Sequence, residues 1–457
     1  MTHRSDPRFK THLPLMCLLV LALACPASAE WKEKVLYSFQ GGIGDGEYPA
    51  GGVVFDKAGN LYGATTEGGG ECLPAQCGTV FQLAPPAKKG DPWTETVLWV
   101  FKGNGSGDGN TPAGSVIIDS SGNLYGTTGY GGTGDCVLIG EKVGCGTVYE
   151  LSPSGEKGGA WTEAVLYSFP TAKQGYLPNG NLVFDKAGNL YGATMFGGGY
   201  GTTCDAFYQY CGAVFQLSPP KKKGGKWTEK VLHGFRGARD GANPNGGLVL
   251  DGKGTIYGTT SAGGFNCPHH SGQGCGTVFS LKSANNKGQS EWSETVLHRF
   301  DPGQSDGASP SGGVVFDSKS RLCGVTRTGG QAGYGTVFRL APSSGLAGAW
   351  TETLLYSFTG QQDIGSPQAG LTLSAKGNLF GTTIGGPYSS GIVFRLVRPV
   401  RGRSWAFTDL YSLRGSPDGH YPAATLIFDA SGNLYGTTQG AAMRETARFS
   451  RSHLRLR

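Results

Sequence analysis

The sequence lacks several features that would place it in other protein classes. Its only long apolar run, Leu13–Ala24, lies near the start, so no later segment is long enough to span a bilayer as a helix. Only 16% of the residues are charged, but a hydrophobic fraction of 38% excludes a disordered chain. Gly accounts for 80 of 457 residues without the period of three seen in collagen. This composition predicts many short strands joined by tight turns.

The first 29 residues have the pattern of a secretory signal. Arg4, Arg8 and Lys10 precede the apolar run, and Ala27–Ala29 supplies small residues at a peptidase site. We therefore expect a signal peptide over residues 1–29 and an exported chain that is periplasmic, cell-surface or extracellular.

A unit that contains a Trp segment, such as WTETVLWVF or WTETLLYSF, recurs seven times at intervals of 55 to 68 residues. Each unit has four strand-like runs in a fixed order, namely the Trp segment, a GGVVFD-type run, an NLYGAT-type run and a GTVFQL-type run. This order predicts an all-β fold, a seven-bladed β-propeller of four-stranded antiparallel blades. A β-solenoid is the alternative, but its coils are usually much shorter. The segments begin at Trp31, Trp93, Trp161, Trp227, Trp292, Trp350 and Trp405.

The two ends of the chain predict how the ring closes. No repeat precedes the Trp31–Phe39 segment, and no Trp segment follows the last repeat, so we expect the N-terminal strand to pair into the last blade. The propeller is expected over residues 30–440, followed by an Arg-rich tail over residues 441–457. A GTVF-type strand is due in this tail, which is a degenerate strand, a frayed end or the product of a frameshift.

Eight cysteines form four pairs at one equivalent place, the loop between the NLYGAT-type and GTVFQL-type runs of the first four repeats. In an exported chain this placement predicts local disulfides rather than zinc ligands. The remaining cysteine of the mature chain, Cys323, is expected to be a buried free thiol. The predicted pairs are Cys72 with Cys77, Cys136 with Cys145, Cys204 with Cys211, and Cys267 with Cys275.

No catalytic motif is present in the sequence, neither a Gly-x-Ser-x-Gly elbow nor His-Glu-x-x-His. We therefore expect a non-enzymatic protein without a cofactor or a metal. The acids of the DG-x-x-P loops, such as Asp45 and Asp108, supply one carboxylate per loop, which is typical of a turn rather than a calcium site. Basic residues, such as Lys88 and Lys89, precede several Trp segments, where they form a solvated face or a weak dock for an anionic polymer.

Aromatic residues are concentrated in two of the Cys-bearing loops. Strand order places these loops on one face of the propeller with the DG-x-x-P loops, and the basic loops on the other. Their rings can stack on sugars or anchor a protein partner, although packing beneath their own loops is the alternative. The candidate ligand-binding residues are Phe196, Tyr200, Phe207, Tyr208, Tyr210, Phe265, His269 and His270.

The recurring string GGVVFDKAGNLYGATTEGG, followed by GTVFQL, resembles the GloVer tandem repeat of exported proteins with a "choice of anchor". The resemblance implies an extracytoplasmic location and no particular activity. The Asp-x-x-Gly-Asn-Leu-Tyr core is also similar to NHL and regulator-type propeller blades.

The expected function is an exported scaffold that binds a glycan or an envelope or extracellular protein. The alternatives are an extracytoplasmic polysaccharide lyase or hydrolase with an axial site, and a purely structural surface protein. We expect a monomer with no nucleic-acid partner.

Overall fold

The structure, a computed structural model, describes residues 31–453 except for 71–76, 104–105, 139, 157, 199–210, 223, 238, 265–273, 287–288, 302, 304, 344, 346–347, 364, 386–389, 401–403, 417, 423 and 441–447. The named elements of this part of the chain are all β-strands. Among the same residues, no helix has the length and apolar character that crossing a membrane would require.

Seven antiparallel sheets follow one another along the chain, and each corresponds to one repeat. Blade 1 comprises β2 (Gly46–Pro49), β3 (Val54–Phe55), β4 (Leu61–Gly68), β5 (Thr79–Ala84) and β6 (Thr94–Val100). Blade 2 comprises β7 (Gly109–Ile118), β8 (Leu124–Gly131), β11 (Thr147–Ser152) and β12 (Thr162–Ser168), with a hairpin of β9 (Val137–Leu138) and β10 (Glu141–Lys142) in one loop. Blade 3 comprises β13 (Tyr176–Phe184), β14 (Leu190–Phe196), β15 (Ala213–Ser218) and β16 (Thr228–Gly234).

The remaining four blades repeat the same order of strands. Blade 4 comprises β17 (Val249–Leu250), β18 (Ile256–Thr260), β19 (Thr277–Asn286) and β20 (Gln289–Arg299). Blade 5 comprises β21 (Gly307–Phe316), β22 (Leu322–Gly329), β23 (Thr336–Pro342) and β24 (Trp350–Ser357). Blade 6 comprises β25 (Thr372–Leu373), β26 (Leu379–Thr383), β27 (Ile392–Val397) and β28 (Ala406–Ser412). Blade 7 comprises β29 (Ile427–Phe428), β30 (Leu434–Thr438), β31 (Arg448–His453) and β1 (Lys32–Ser38).

The all-β propeller predicted from the sequence is confirmed, with one correction to the strand count. Six sheets have four strands and the sheet of blade 1 has five, so the four-stranded blades number six rather than seven. The fifth strand arises because β2 and β3 pair separately with β4, and the break between them falls at Gly51 and Gly52. In blade 2 the single strand β7 runs through the equivalent positions.

The N-terminal strand closes the ring, as the sequence predicts. β1 pairs with β31, and β31 pairs with β30, so the two ends of the chain share blade 7. Phe39, just after β1, is fully buried and packs edge-on against Phe81 of blade 1, with ring centroids 4.9 Å apart. The sheet extends past residue 440, the expected boundary of the propeller, because β31 lies between β30 and β1.

The innermost strands of neighbouring blades touch through glycines. A β-carbon added at Gly51 would lie 2.5 Å from the carbonyl carbon of Gly114, and one added at Gly114 would lie 2.6 Å from the carbonyl oxygen of Gly180. Only a residue without a side chain fits at these positions. The GGVVFD-type run is therefore the innermost strand of each blade, and the Trp segment is the outermost.

Aromatic pairs fill the space between the sheets. A Phe that follows the outer strand of one blade packs against a ring on the third strand of the next blade, as in Phe169 with Phe215 and Phe235 with Phe279, whose centroids are 5.2 and 5.0 Å apart. All four rings are fully buried. Truncation of such a side chain to Ala costs about 3–5 kcal/mol, so these pairs stabilise each contact between blades.

Candidate functional site

The loops that join one blade to the next each contain a residue in a strained backbone conformation. The residue before the Pro of each DG-x-x-P-type loop has a φ between 53° and 60° in all seven repeats. This left-handed region is uncommon for residues other than Gly, and holding such a residue there costs about 1–3 kcal/mol. The seven residues are Tyr48, Thr111, Leu177, Asn243, Ser309, Ser366 and Tyr421.

The preceding blade holds this strained backbone in place. The N–H of Thr111 donates a hydrogen bond of 3.1 Å to the carbonyl oxygen of Cys77 in blade 1. Pro112 then covers Gly78, where an added β-carbon would lie 2.5 Å from the proline Cδ. We call this arrangement of strained residue, carbonyl acceptor, Pro and Gly a joint. The same hydrogen bond joins Leu177 to Cys145, Asn243 to Cys211, Ser309 to Cys275, Ser366 to Tyr334 and Tyr421 to Ser390.

Disulfides brace four of these joints, because the acceptor is the second cysteine of a predicted pair. Cys136 and Cys145 form a disulfide with their Cα atoms 5.0 Å apart. The acceptors of the other three, Cys77, Cys211 and Cys275, are also disulfide-bonded. Their expected partners, Cys72, Cys204 and Cys267, lie outside the described residues.

Cys323 is a free, buried thiol, as the sequence predicts. Burial, followed by the negative charge of Asp317, raises the pKa of this thiol to about 12. The thiol therefore stays protonated and unreactive at neutral pH.

The acids of the DG-x-x-P loops serve as turn residues. The carboxylate of Asp45 accepts hydrogen bonds from the backbone N–H groups of Gln40 and Gly46, both at 2.7 Å. Asp108 accepts equivalent bonds from Lys102 and Gly109 at 3.0 and 2.6 Å. These carboxylates fix the shape of the loop that leads into each innermost strand.

Most of the aromatic site predicted from the sequence falls outside the described residues, and it remains a prediction. Phe196 is described, and its ring lies 6.0 Å from that of Tyr176 at the edge of the core between blades 2 and 3. This contact corresponds to packing of the aromatic residue beneath its own loop. The predicted residues outside the description are Tyr200, Phe207, Tyr208, Tyr210, Phe265, His269 and His270.

Exposed apolar side chains concentrate on the face formed by the Cys-bearing loops and the DG-x-x-P loops, which we call the loop face. Among the described residues seven large hydrophobic side chains are exposed, and Val400 alone of these lies on the opposite face. The six on the loop face are Ile43, Tyr48, Val137, Leu138, Tyr334 and Tyr421.

Tyr48 and Tyr421 lie on adjacent blades where the ring closes. They occupy equivalent positions in blades 1 and 7 and are 42% and 46% exposed, whereas the equivalent residues of the other five blades are half-buried. β2, which carries Tyr48, contacts β30. The carbonyl oxygen of Tyr421 accepts a hydrogen bond from Gln439, the residue after β30. Both tyrosines therefore lie on the loop face, in the two blades that the ring closure makes neighbours.

Polar side chains accompany both tyrosines. Glu47 is paired with Glu67 across the sheet, and burial together with the charge of Glu67 raises the pKa of Glu47. The His420 ring packs edge-on against Tyr421, with centroids 4.6 Å apart. We call Glu47, Tyr48, Glu67, His420 and Tyr421 the closure patch. Its aromatic faces and carboxylate acceptors suit a polyhydroxylated ring.

Sequence reasoning missed the closure patch, although a signal for it was present. Among the seven loops, Tyr precedes the Pro only in DGEYP of the first repeat and DGHYP of the last. The ring closure places these two distant segments in adjacent blades.

The opposite face carries a group of basic residues. Lys88, Lys89, Lys221, Lys222, Lys226 and Arg398 are all exposed there. The two faces of the propeller therefore differ in their exposed apolar side chains, six of which lie on the loop face, whereas exposed cations occur on both faces.

The sequence matches the model of one known repeat family over most of its length. The family model of the Gloeobacter/Verrucomicrobia repeat matches residues 25–204, 136–394 and 199–447. The chain belongs to this repeat family. No curated protein matches it.

A solved structure shares the fold of this repeat protein at low identity. The chain is similar to the polysaccharide lyase Uly1, with 12% identity, a TM-score of 0.51 and coverage of 92% of this chain and 98% of that one. It is also similar to a glucose dehydrogenase, with 15% identity, a TM-score of 0.42 and coverage of 93% and 99%. At such identity the first likeness shows the fold alone.

Proposed function

We propose that this protein is an exported, non-enzymatic propeller that binds a glycan through the closure patch. The observation that carries the proposal is the pair of exposed tyrosines, Tyr48 and Tyr421, at equivalent positions of two adjacent blades. No other equivalent position among the seven repeats carries an aromatic side chain.

The chemistry of the patch favours a sugar as its ligand. Aromatic rings stack on the apolar faces of sugar rings, while Glu47 and Glu67 accept hydrogen bonds from hydroxyl groups. The backbone beneath the rings is fixed, since Tyr421 donates its N–H to Ser390 and the carbonyl oxygen of Tyr48 accepts from the Thr66 hydroxyl at 3.0 Å. A rigid platform loses little entropy when a ligand binds.

Two further observations support export and a polysaccharide ligand. Cys77, Cys136, Cys145, Cys211 and Cys275 are disulfide-bonded, and disulfides persist in oxidising compartments. One solved structure that shares the fold at 12% identity is that of a polysaccharide lyase. Analysis of the polysaccharide after incubation with the protein therefore tests the enzymatic alternative.

Binding can be tested with substitutions that the repeat itself supplies. Asn and Ser occupy the position of the tyrosines in other blades, at Asn243 and Ser309, with nearly the same φ. The double variant Tyr48→Asn with Tyr421→Ser therefore removes both rings at positions where these residues fit. Asn243→Ser is the matched control, because it changes an equivalent position that carries no ring.

The mature protein, the double variant and the control are compared on an array of neutral and acidic oligosaccharides, followed by calorimetric titration with the best binder. We expect the double variant to bind at least about fivefold more weakly, because each aromatic contact contributes about 0.5–1.5 kcal/mol. An array without any bound glycan, or equal affinity of all three proteins, contradicts the proposal. Shortening of the bound polysaccharide contradicts its non-enzymatic part.

A further inference from the structure

The outer strands of neighbouring blades bring three polar side chains together at a repeated position. One side chain lies near the end of an outer strand, the second is the Asp of the joining loop, and the third is a Glu on the next outer strand. In one such cluster the Tyr37 hydroxyl donates to Asp45 at 3.3 Å, and the charges of Asp45 and Glu95 both act on Tyr37. In two neighbouring clusters His takes the place of the aromatic residue. They are His233, Asp240 and Glu294, and His298, Asp306 and Glu352.

The ligand atoms of each His-containing cluster converge. One imidazole nitrogen and one oxygen from each carboxylate all lie within 4.8 Å of one another. His233 Nε2 is 3.1 Å from Asp240 Oδ1, and His298 Nε2 is 2.9 Å from Asp306 Oδ2. A tetrahedral Zn²⁺ with bonds of about 2.0–2.2 Å holds its ligand atoms about 3.4 Å apart. Small side-chain rotations would therefore complete three corners of a metal site.

A buried oxygen in each cluster lacks a hydrogen bond. Oε1 of Glu294 and Oε1 of Glu352 are buried, and no donor among the described residues reaches them. Burial, followed by the charge of the nearby Asp, raises the pKa of both carboxyls to about 7. Glu163 has the same unpartnered oxygen, but Trp99 stands where the other clusters have His. The imidazole is therefore what distinguishes the two clusters from the rest of the ring.

We propose that each His–Asp–Glu cluster binds one zinc-class divalent cation through the imidazole Nε2, one Asp oxygen and the Glu Oε1. One nitrogen and two oxygen donors suit Zn²⁺, whereas Ca²⁺ and Mg²⁺ take oxygen ligands. The two ions join the outer strand of blade 4 to those of blades 3 and 5, because Glu294 and His298 both lie on β20. The proposal is independent of glycan binding.

The two sites are expected to differ in their affinity for the cation. The neighbouring Asp and His act on the Glu in both clusters, but the positive charge of Arg299 acts on Glu294 in addition. A cation beside Glu294 is repelled by the guanidinium. The site of His298, Asp306 and Glu352 is therefore the tighter one.

The repeat supplies the control for this site. Tyr occupies the His position in other blades, where the hydroxyl of Tyr411 donates to Asp418 at 2.8 Å. His233→Tyr and His298→Tyr therefore keep a donor to Asp and remove the metal-binding nitrogen. Equal thermal midpoints of the metal-free parent and variants establish that each variant folds.

Metal-free mature protein is titrated with Zn²⁺ by calorimetry, with Ca²⁺ as the comparison cation. We expect each single variant to bind one Zn²⁺ fewer than the parent and the double variant to bind two fewer, with His298→Tyr removing the tighter event. Zn²⁺ should raise the thermal midpoint of the parent and leave that of the double variant unchanged. Equal stoichiometry in the parent and the double variant, or no binding by the parent, would overturn the proposal.

Discussion

The joints that lead into blades 2 to 5 differ in one respect from those that lead into blades 6 and 7. In the first group a disulfide-bonded cysteine accepts the hydrogen bond, and in the second group Tyr334 or Ser390 does. The bonds measure 2.8 to 3.3 Å in the first group and 2.7 and 3.0 Å in the second. Because the geometry is the same, the backbone with its Pro–Gly contact sets the joint. The disulfide adds a restraint on the loop.

The length of the loop explains where this restraint occurs. In blade 2, β8 ends at Gly131 and β11 begins at Thr147, whereas in blade 5, β22 ends at Gly329 and β23 begins at Thr336. A longer loop loses more conformational entropy when its ends are fixed, and a cross-link removes part of that cost from folding. The short loops of blades 5 and 6 hold the carbonyl that accepts the hydrogen bond in place without a disulfide.

Removing the strand that closes the ring should have the largest effect. Deletion of residues 31–39 removes β1 and the buried Phe39, whose loss alone costs about 3–5 kcal/mol, and leaves β31 with a free edge. We expect aggregation or loss of cooperative unfolding, measured by circular dichroism and size-exclusion chromatography. Lys32→Ala, an exposed change on the same strand, should melt like the parent. A truncated protein that melts as sharply and as high as the parent would refute closure by β1.

Substitution of the joint glycines tests whether the backbone sets both kinds of joint. Gly146 and Gly335 have φ values of 96° and 95°, and an added β-carbon would lie 2.4 Å from Thr128 O and 2.3 Å from Thr326 O. We expect Gly146→Ala and Gly335→Ala each to lower the free energy of unfolding by about 2–4 kcal/mol. Chemical denaturation measures both.

Gly122→Ala is the control for this pair, because φ is 89° but the added carbon meets nothing within 4 Å. It should cost only the conformational part, about 1–2 kcal/mol. A much milder effect at Gly146 than at Gly335 would mean that the disulfide, and not the backbone, determines the braced joint.

Removing a disulfide should show how much the cross-link contributes to stability beyond the backbone of the joint. The pair Cys136→Ser with Cys145→Ser opens a cross-link between residues nine apart, and we expect a loss of about 2–3 kcal/mol from the chain-entropy model. Chemical denaturation of the variant and of Cys323→Ala, which removes a thiol outside any disulfide, makes the comparison. Unchanged stability of the double variant would show that the loop needs no restraint.

The pH dependence of stability should come from the Glu of the outer strands. Burial, followed by the charge of Asp108, raises the pKa of Glu163 from 4.5 to about 7. The native state therefore keeps a proton that the unfolded chain releases, so the free energy of unfolding falls as pH rises from about 4.5 to about 7. Glu163→Gln should be more stable than the parent at about pH 8 and show a flatter profile.

Thermal melts across this pH range check the profile, with Glu141→Gln, an exposed change on β10, as the control. The contact between the outer strands of blades 5 and 6 has an uncharged residue at this position, since Phe407 replaces the Glu and its ring stacks on that of Tyr356, with centroids 4.9 Å apart. A Glu163→Gln profile as steep as that of the parent would exclude this carboxyl as a source of the dependence.

The propeller could be predicted because the order of the strand-forming runs can be read within each repeat. Its closure could be predicted because the Trp31–Phe39 segment has no repeat before it and the last repeat has no Trp segment after it. The joints could not, because a residue before Pro, such as Thr111, avoids helical conformations in isolation and takes its φ of 57° only against Cys77 of the neighbouring blade. The His–Asp–Glu clusters were missed for a similar reason. His298 and Glu352 lie in successive repeats, and only the packing of β20 against β24 brings them together.

The smallest expected effect distinguishes local strain from the restraint of the disulfide. Ser309 lies in a braced joint and Ser366 in an unbraced one, with φ values of 53° and 60°. Asn tolerates this region better than Ser, and Asn243 already occupies the equivalent position in blade 4. Ser309→Asn and Ser366→Asn should therefore each raise the free energy of unfolding by about 0.5 kcal/mol. Equal gains in chemical denaturation mean that the strain is confined to the residue, whereas a gain at Ser366 alone means that the disulfide already carries it in the braced joint.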